Sequence, residues 1–304
     1  MKRILLIGKN GQIGWELQRS LSPFGTLIAP ERHELELTNI GDVRRVLRNL
    51  RPDIIINAAA YTAVDKAESD AALASEVNAV APAILAEEAK LLGALLVHYS
   101  TDYVFDGSKS SAYTEDDMPN PQNVYGKTKL AGEQAIHASG CKHLILRTSW
   151  VYGMHGENFM KTVLRLAKER GELRIVADQF GAPTWARDLA LATLTALEYW
   201  QEKDWDEQLG GLYHLTAGGR TNWHDYAEEI VHLARNYDST LAAKTPVLRS
   251  IATHEYPAAA RRPANSLLAC DRIQTAFGIR LPQWQDSLSE CIRLLYEQPS
   301  ARPD

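Results

Sequence analysis

Hydrophobic residues in the first half of the chain fall into short runs, separated by stretches in which they recur at helical spacing. The runs are bounded by glycine, proline or polar residues and predict strands buried on both faces, at 4–7, 26–29, 54–57, 95–100 and 144–147. The intervening stretches predict helices at 12–21, 43–50, 71–92 and 124–138. Thr38 or Asn39 is placed to cap the second of these helices. This alternation predicts an α/β fold with a doubly wound parallel sheet, in which ligands bind at the carboxyl ends of the strands.

After about Trp150 the alternation of strands and helices becomes less regular. The pattern predicts one further strand at 173–176 and helices at 158–168, 188–200, 223–235 and 285–296. The remaining segments predict a surface connection at 203–211, an irregular loop at 248–263 and a frayed tail at 299–304. We therefore expect a dinucleotide-binding domain over residues 1–150. We expect a smaller substrate-binding part over 151–304, some segments of which return to the first domain.

Composition narrows the class of protein. The 304 residues carry a formal net charge of -5 and no long basic run, which argues against nucleic acid as a partner. No stretch approaches the ~20 apolar residues of a membrane span. The three cysteines, Cys141, Cys270 and Cys291, form neither a metal-ligand spacing nor a disulfide framework. A reducing cytoplasm is the expected location.

The first strand runs into a glycine-rich turn. Gly8, Gly11 and Gly14 have the spacing G-x-x-G-x-x-G between that strand and the first helix. Backbone N–H groups and the dipole at a helix N-terminus hold a pyrophosphate, and glycine permits its close approach. A tight turn that binds nothing is the alternative for this spacing alone.

The adenosine end of a dinucleotide would lie at the next strand. An acid there binds the ribose diol, and Glu31 is the candidate; the neighbouring Arg32 would accommodate the 2′-phosphate of NADPH. The sequence does not separate NADH from NADPH. Small residues after the third strand, Asn57-Ala58-Ala59-Ala60, would let a cofactor lie flat, although a small-residue packing seam gives the same pattern.

Tyr125 and Lys129 lie one helical turn apart on a predicted helix, so their side chains share a face. A nearby ammonium would lower the pKa of the phenol from ~10, and the phenol could then give a proton to a carbonyl oxygen. Thr101, at the end of the fourth strand, is the candidate hydroxyl to orient that oxygen. A surface Tyr/Lys pair is the alternative for the isolated motif.

In this order, these motifs resemble the extended short-chain dehydrogenase/reductases, and within them the dTDP-4-dehydrorhamnose reductase family. The longer segments are the specific ones, and the resemblance runs from Lys2 to about Tyr296. They are Gly8–Gly14, Asn57–Glu68, Ser100–Gly107, Arg147–Tyr152, Asp178–Thr184 and Ala260–Ser266. The resemblance implies a Rossmann-type fold and reduction of dTDP-4-dehydro-6-deoxy-L-mannose at C4, with NADPH or NADH, to dTDP-L-rhamnose. That is the last step in making this sugar donor for cell-surface polysaccharide.

The resemblance also implies roles for individual residues. Tyr125 would be the proton donor, Lys129 its partner and Thr101 the polarising hydroxyl. The cofactor would contact Gly8, Gly11, Gln12, Ile13, Gly14, Glu31, Glu36, Leu37, Ala60, Tyr61, Thr62 and Tyr99, together with Tyr125 and Lys129. The deoxysugar would contact Val64, Thr101, Asp102 and Trp150, and the diphosphate Arg262. A core position for Trp150 and a loop-stabilising charge at Arg262 are the alternatives.

The same resemblance leaves a homodimer open. Some relatives use bound magnesium to join subunits through acidic side chains, but Arg187 stands where one such acid is expected, so no metal is predicted. Sugar dehydratases of this fold carry Thr-Asp-Glu where Tyr103 replaces the glutamate here, which argues against a dehydratase. An epimerase, or a non-catalytic subunit like the regulatory subunit of methionine adenosyltransferase, remains the alternative. The choice between thymidine and uridine nucleotides also stays open.

Overall fold

The protein is described by a computed structural model that covers residues 1–297. Its strands, in chain order β1 to β12, are Lys2–Ile7, Gly25–Ile28, Ile54–Asn57, Leu95–Thr101, His143–Thr148, Val151–Tyr152, Glu172–Val176, Phe180–Gly181, Thr184–Trp185, Gly211–His214, Thr221–Asn222 and Val247–Ile251. Its helices, α1 to α12, are Gln12–Ser20, Ile40–Leu50, Val64–Ala67, Ala71–Ser75, Ala81–Leu92, Val124–Ser139, Phe159–Glu169, Ala186–Glu202, Trp223–Ala234, Ser239–Ala243, Asp271–Phe277 and Trp284–Glu297.

Six parallel strands form the central sheet, in the order β10-β5-β4-β3-β1-β2. Apolar side chains cover both faces. One face packs against α1, α8 and α11, and the other against α2, α5 and α6. This arrangement confirms the predicted doubly wound α/β fold. Because the strand order changes direction between β1 and β3, a crevice opens at their carboxyl ends, where ligands of such sheets bind.

The predicted strands of the first half are all present, and so is the one predicted at 173–176, which is β7. Asn39, one of the two expected caps, accepts a hydrogen bond from the Asp42 amide at the start of α2. The helix expected at 71–92 is present as α4 and α5, joined by a π-helical segment at Glu76–Val80. The tail at 299–304 lies outside the described residues.

The C-terminal lobe is a second, smaller core. It packs α7, α9 and α12 against the parallel pair β7 and β12. The prediction of an irregular loop over 248–263 is wrong at its start, because Val247–Ile251 pairs with Glu172–Val176 along five residues. The short strand β10 returns to the large sheet beside β5, directly after the segment expected to be a surface connection.

No helix within residues 1–297 is both long and apolar enough to cross a lipid bilayer.

Candidate active site

The predicted functional residues gather at the carboxyl edge of the central sheet. The glycine turn follows β1, the small-residue segment follows β3, and Thr101 ends β4. Tyr125 lies at the start of α6, close to the end of β4. Parallel strands end on one edge, so segments far apart in sequence meet in one crevice.

The glycine turn leaves the N-terminus of α1 accessible. No side chain caps this helix, so the first N–H groups, including those of Gln12 and Ile13, have no partner within the helix. A Cβ at Gly14 would overlap the Gly8 carbonyl oxygen, so only glycine permits this tight packing. The Gln12 side chain turns away to the Val151 carbonyl, 3.3 Å from it. The turn therefore fits the pyrophosphate of a dinucleotide.

A cavity of about 390 Å³ continues from this turn past the end of β2. It is lined by predicted cofactor residues, namely Gly8, Gly11, Glu36, Leu37, Ala60 and Tyr61. Three cations also line it: Arg32, the candidate contact of a 2′-phosphate, and Lys9 and Lys66, to which the sequence assigned no contact. A partly apolar cavity with cations among its lining residues fits an adenosine with phosphate groups.

Two ion pairs hold acids to cations that line this cavity, namely Lys9 and Arg32. Glu31 binds the Lys9 ammonium at 2.8 Å and the Asn10 amide at 2.8 Å, and these bonds lower the pKa of its carboxyl. Glu36 binds the Arg32 guanidinium at 2.8 Å, which lowers the pKa of Glu36. Of the acid and the cation that the sequence set as alternatives, Arg32 lines the cavity itself, and Glu31 is bound to Lys9, which also lines it.

The segment after β3 is held by a buried asparagine. Asn78, in the π-helical segment, accepts from the Tyr61 amide at 2.8 Å and donates to the Tyr61 carbonyl at 3.1 Å. It also donates to the Thr128 hydroxyl of α6 at 3.2 Å. π-Helical turns often occur at functional sites, and this one ties the cofactor loop to the helix that carries Tyr125. Thr62 is exposed beside it.

Thr101, Asp102 and Tyr125 meet where β4 ends. The Thr101 hydroxyl donates to Asp102 Oδ1 at 3.1 Å and accepts from the Tyr103 amide at 3.2 Å. A Cβ at Gly126 would overlap the Tyr103 carbonyl oxygen, so this glycine lets α6 approach the turn after β4. Tyr125 is therefore brought edge-on to Tyr103, with 5.6 Å between ring centroids.

Burial is the largest influence on the pKa values of Tyr125 and Asp102. It raises the pKa of Tyr125 to about 12, against a lowering by the Thr101 hydroxyl. It raises the pKa of the Asp102 carboxyl, whose Oδ2 lacks a hydrogen-bond partner, to about 6. The lowered phenol pKa predicted from the Tyr125–Lys129 spacing is wrong for this structure, because the Lys129 amine lies against other groups.

Lys129 is fully buried, 1% exposed. Its Nζ donates to the Tyr99 carbonyl at 2.6 Å and lies 3.0 Å from His98 Nε2. The Tyr99 side chain points into the core, where its hydroxyl bonds the Thr193 hydroxyl at 2.6 Å. Of Tyr99, only the backbone therefore faces Lys129.

The predicted deoxysugar contacts lie on the side toward the C-terminal lobe. Trp150 has a left-handed backbone, with φ 49°, and stacks on Trp223 with 3.5 Å between ring centroids. Val64 begins α3 and is half-buried. Arg262 binds Asp65 at 2.6 Å, so it does stabilise a loop, while its side chain also lines a cavity of about 710 Å³.

That cavity is lined by residues of β7, β12 and α7 and by Trp223 of the aromatic pair. Trp223, Phe159 and Tyr256 supply its aromatic wall, and Gln179 and Arg262 supply polar groups. Sequence reasoning missed Trp223, Asn78 and Lys66. Nothing in the local pattern distinguishes a Trp at the start of an amphipathic helix, or an Asn within one, from ordinary residues at those places.

Arg187, which replaces an expected acid, is the second residue of α8 and lies exposed beside the Trp185 ring. Burial raises the pKa of the neighbouring Glu16, and the Arg187 charge opposes that rise. A cation in this place disfavours binding of a second cation.

Comparison with known proteins agrees with this geometry. A profile of the RmlD substrate binding domain family matches residues 1–297. The chain belongs to this family. It is 51% identical to the dTDP-4-dehydrorhamnose reductase of Salmonella typhimurium, over 93% of this chain and 94% of that one. It is 47% identical to the reductase of the same name from Burkholderia thailandensis, over 97% and 100% of the two chains.

A solved member of the family shows the same fold. The crystal structure of dTDP-4-dehydrorhamnose reductase from Bacillus anthracis in complex with NADP has a TM-score of 0.85 and 37% identity. The match covers 96% of this chain and 99% of that one. The similarity therefore extends over both lobes.

Proposed function

We propose that this protein is an NAD(P)H-dependent reductase that converts dTDP-4-dehydro-6-deoxy-L-mannose to dTDP-L-rhamnose, the last step in making this donor for cell-surface polysaccharide. The observation that carries the proposal is the meeting of Thr101, Asp102 and Tyr125 at the same edge of the sheet as the glycine turn. Curated relatives at 47–51% identity bear the name of this reductase. A non-catalytic subunit would not need this constellation of buried polar groups.

The cofactor, when bound, supplies a hydride to C4 of the keto sugar. The residues of this protein deliver the proton and orient the C4 oxygen of the sugar. The Tyr125 phenol remains protonated at neutral pH because burial raises its pKa to about 12, so it is in the form that donates. It gives its proton to the C4 oxygen, while the Thr101 hydroxyl orients that oxygen.

We assign the pyrophosphate to the turn Gly8–Gly14, with the amides of Gln12 and Ile13 as donors. We assign the adenosine to the cavity beside Glu31, Glu36 and Leu37. Ala60, Tyr61, Thr62 and the backbone of Tyr99 then flank the cofactor along the strand ends, and Tyr125 and Lys129 flank the nicotinamide end. The accessible helix terminus and the cations that line the cavity support this assignment.

We assign the deoxysugar to the space bounded by Val64, Thr101, Asp102 and Trp150. The nucleotide then extends into the cavity of about 710 Å³, with Arg262 at the diphosphate. A guanidinium suits phosphate oxygens, and an aromatic wall suits a base. On this assignment residues 1–150 serve mainly the cofactor, and 151–304 mainly the sugar nucleotide, with α8 and β10 returning to the sheet.

We further propose that the protein works in the cytoplasm, without nucleic acid or membrane as a partner, and that it forms a homodimer. All three cysteines are free thiols in the structure, as expected in a reducing compartment.

The first experiment follows absorbance at 340 nm with purified protein, NADPH or NADH, and the keto sugar made in situ. Oxidation that depends on the thymidine-linked sugar supports the reductase and ranks the two cofactors. Parallel reactions with the uridine-linked sugar test the nucleotide. Bound cofactor without oxidation would refute the proposed reaction and favour an epimerase or a silent subunit.

Tyr125→Phe removes the proposed donor hydroxyl and keeps the ring. We expect kcat to fall about 100-fold to 10,000-fold, the usual contribution of a general acid, with cofactor affinity unchanged. Tyr237→Phe, at an exposed tyrosine stacked on Tyr296, is the matched control. Near-normal turnover of Tyr125→Phe would disprove the assigned role.

Lys129→Met removes the buried amine and keeps most of its apolar stem. Because Lys129 lies between the backbone of Tyr99 and His98, we expect both cofactor affinity and kcat to fall. Titration of cofactor fluorescence and the 340 nm assay measure the two effects. A variant with unchanged rate would contradict a catalytic role for Lys129.

A further inference from the structure

Three buried polar side chains form a chain from β3 to α6. Asn57 Nδ2 lies 3.1 Å from His98 Nδ1, and His98 Nε2 lies 3.0 Å from Lys129 Nζ. All three residues are at most 1% exposed. A buried polar group destabilises the fold unless each donor meets an acceptor. This requirement determines which atom donates in each hydrogen bond between these three side chains.

The direction is fixed at Asn57. Its side-chain oxygen accepts a hydrogen bond from the Ala59 backbone amide at 3.2 Å. A backbone N–H can only donate, so a flipped side chain would set two donors against each other. The Asn57 amino group must therefore face His98, and it donates to Nδ1.

This first hydrogen bond determines the direction of the others in the series. With Nδ1 of His98 as an acceptor, the single proton of the neutral ring sits on Nε2 and points at Lys129. An ammonium has only donors, whereas a neutral amine can accept from His98 and still donate to the Tyr99 carbonyl at 2.6 Å. Only a neutral Lys129 amine gives each of these three hydrogen bonds one donor and one acceptor.

We propose that His98 is a positioning residue that, oriented by Asn57, holds Lys129 as a neutral amine in the free enzyme. Burial favours the neutral form of both side chains. It lowers the pKa of His98 well below its ordinary value, so the ring is neutral even without a charge on Lys129. Burial lowers the pKa of Lys129 to about 8, opposed by the charge of Glu133, which is itself bound to Arg147. Burial alone would therefore leave the amine mainly protonated at pH 7, and it is the hydrogen-bond directions set by Asn57 and His98 that favour the neutral form.

The consequence for catalysis rests on the proposed function. A neutral Lys129 does not draw the proton from Tyr125, so the phenol stays in its donating form. Lys129 gains a proton only when its Nζ leaves His98, for instance to bond an acceptor on a bound ligand. Protonation of Lys129 is thereby coupled to its movement.

The test is ¹⁵N NMR of the imidazoles in histidine-labelled free protein at pH 7, below the pKa of about 8 of Lys129, and it shows directly which ring nitrogen carries the proton. His98→Gln assigns the signal among the nine histidines. We expect His98 to carry its proton on Nε2, with this tautomer in excess by about tenfold or more. His214 is the internal control, since its Nδ1 lies 3.1 Å from the Tyr113 carbonyl and must carry the proton there. A His98 protonated on Nδ1, or on both nitrogens, would overturn the proposal.

Asn57→Asp reverses the first bond at nearly constant shape. A carboxylate accepts both from the Ala59 amide and from His98 Nδ1–H, which frees Nε2 to accept from a Lys129 ammonium. We expect the His98 proton to move to Nδ1, the His214 signals to stay, and the proton affinity of Lys129 to rise at least tenfold in a ¹³C-lysine titration. An unchanged His98 tautomer would contradict the proposal. If this variant fails to fold, the wild-type tautomer still decides.

These measurements use the free protein and no substrate. The tautomer can therefore be as proposed while the reductase assay fails, or the reverse, so the two proposals fail separately.

Discussion

Glu133→Gln should destabilise the protein strongly, because it removes one charge from a buried ion pair. Glu133, on α6, accepts from Arg147 Nε at 2.9 Å and from Arg147 Nη2 at 2.6 Å, and it also binds the Ser100 hydroxyl. The two charged side chains are only 3% and 6% exposed. Glutamine keeps the size of the side chain but leaves the Arg147 charge uncompensated.

The expected magnitude follows from that burial. Removing one partner of a buried ion pair costs about 3–5 kcal/mol in free energy of unfolding. For a chain of this length the melting temperature should fall on the order of 10 °C. The Glu133 charge also raises the pKa of Lys129, so the variant should lower that pKa further.

Calorimetry and urea unfolding of a double-mutant cycle test this reasoning. Arg147→Met should cost about as much as Glu133→Gln, and the double variant much less than the sum, because it buries no unpaired charge. Glu169→Gln removes an exposed partner of Arg165, 3.0 Å away, and should leave stability unchanged. A Glu133→Gln variant that melts within about 2 °C of the wild type, or additive effects in the cycle, would refute the argument.

Three further predictions concern the site. Gly14→Ala should abolish cofactor binding in a fluorescence titration and lower the melting temperature, since its Cβ would overlap the Gly8 carbonyl; normal affinity would refute the tight-turn argument. Asp102 has a folded-state pKa raised from 3.8 to about 6, so the folded state binds more protons than the unfolded one in this window. The free energy of unfolding should therefore fall as pH rises from 4 to 6, by at most about 3 kcal/mol, and Asp102→Asn should flatten that slope in urea titrations. Arg32→Gln should weaken NADPH binding several-fold more than NADH binding, because Arg32 lines the cavity beside Glu36; equal losses would place the 2′-phosphate elsewhere.

Strands β1 to β5 of the large sheet were predictable from their apolar residues, and β3, β4 and most of β1 and β5 are buried on both faces. Each is a short apolar run, as in Ile54–Asn57, and needs no partner to be identified. β12 was not predictable in this way. Its Arg249 and Ser250 are exposed, and the segment is extended only because β7 pairs with it. Strand β10 likewise exists as an edge partner of β5.

The sequence named candidate residues that the structure brings to one edge of the sheet, but it did not predict the hydrogen bonds between them. Spacing places Tyr125 and Lys129 on one face of α6, yet it does not tell which groups from other elements reach them. His98 and the Tyr99 carbonyl come from β4 and bind Lys129, so the electrostatic effect expected on Tyr125 does not arise. The stacking of Trp150 on Trp223 is equally a product of the fold, since it joins two lobes.

The return of β10 to the large sheet has a consequence for how the chain is made. As the chain leaves the ribosome, β5 emerges long before β10, and its apolar edge at Leu144–Leu146 has no outer neighbour until Gly211–His214 arrives. An unpaired apolar strand edge recruits other chains. A fragment ending near residue 150 would therefore carry an aggregation-prone edge. Residues 151–210, which include α7 and β7 of the lobe and α8, have to be synthesised before β10 can cover that edge.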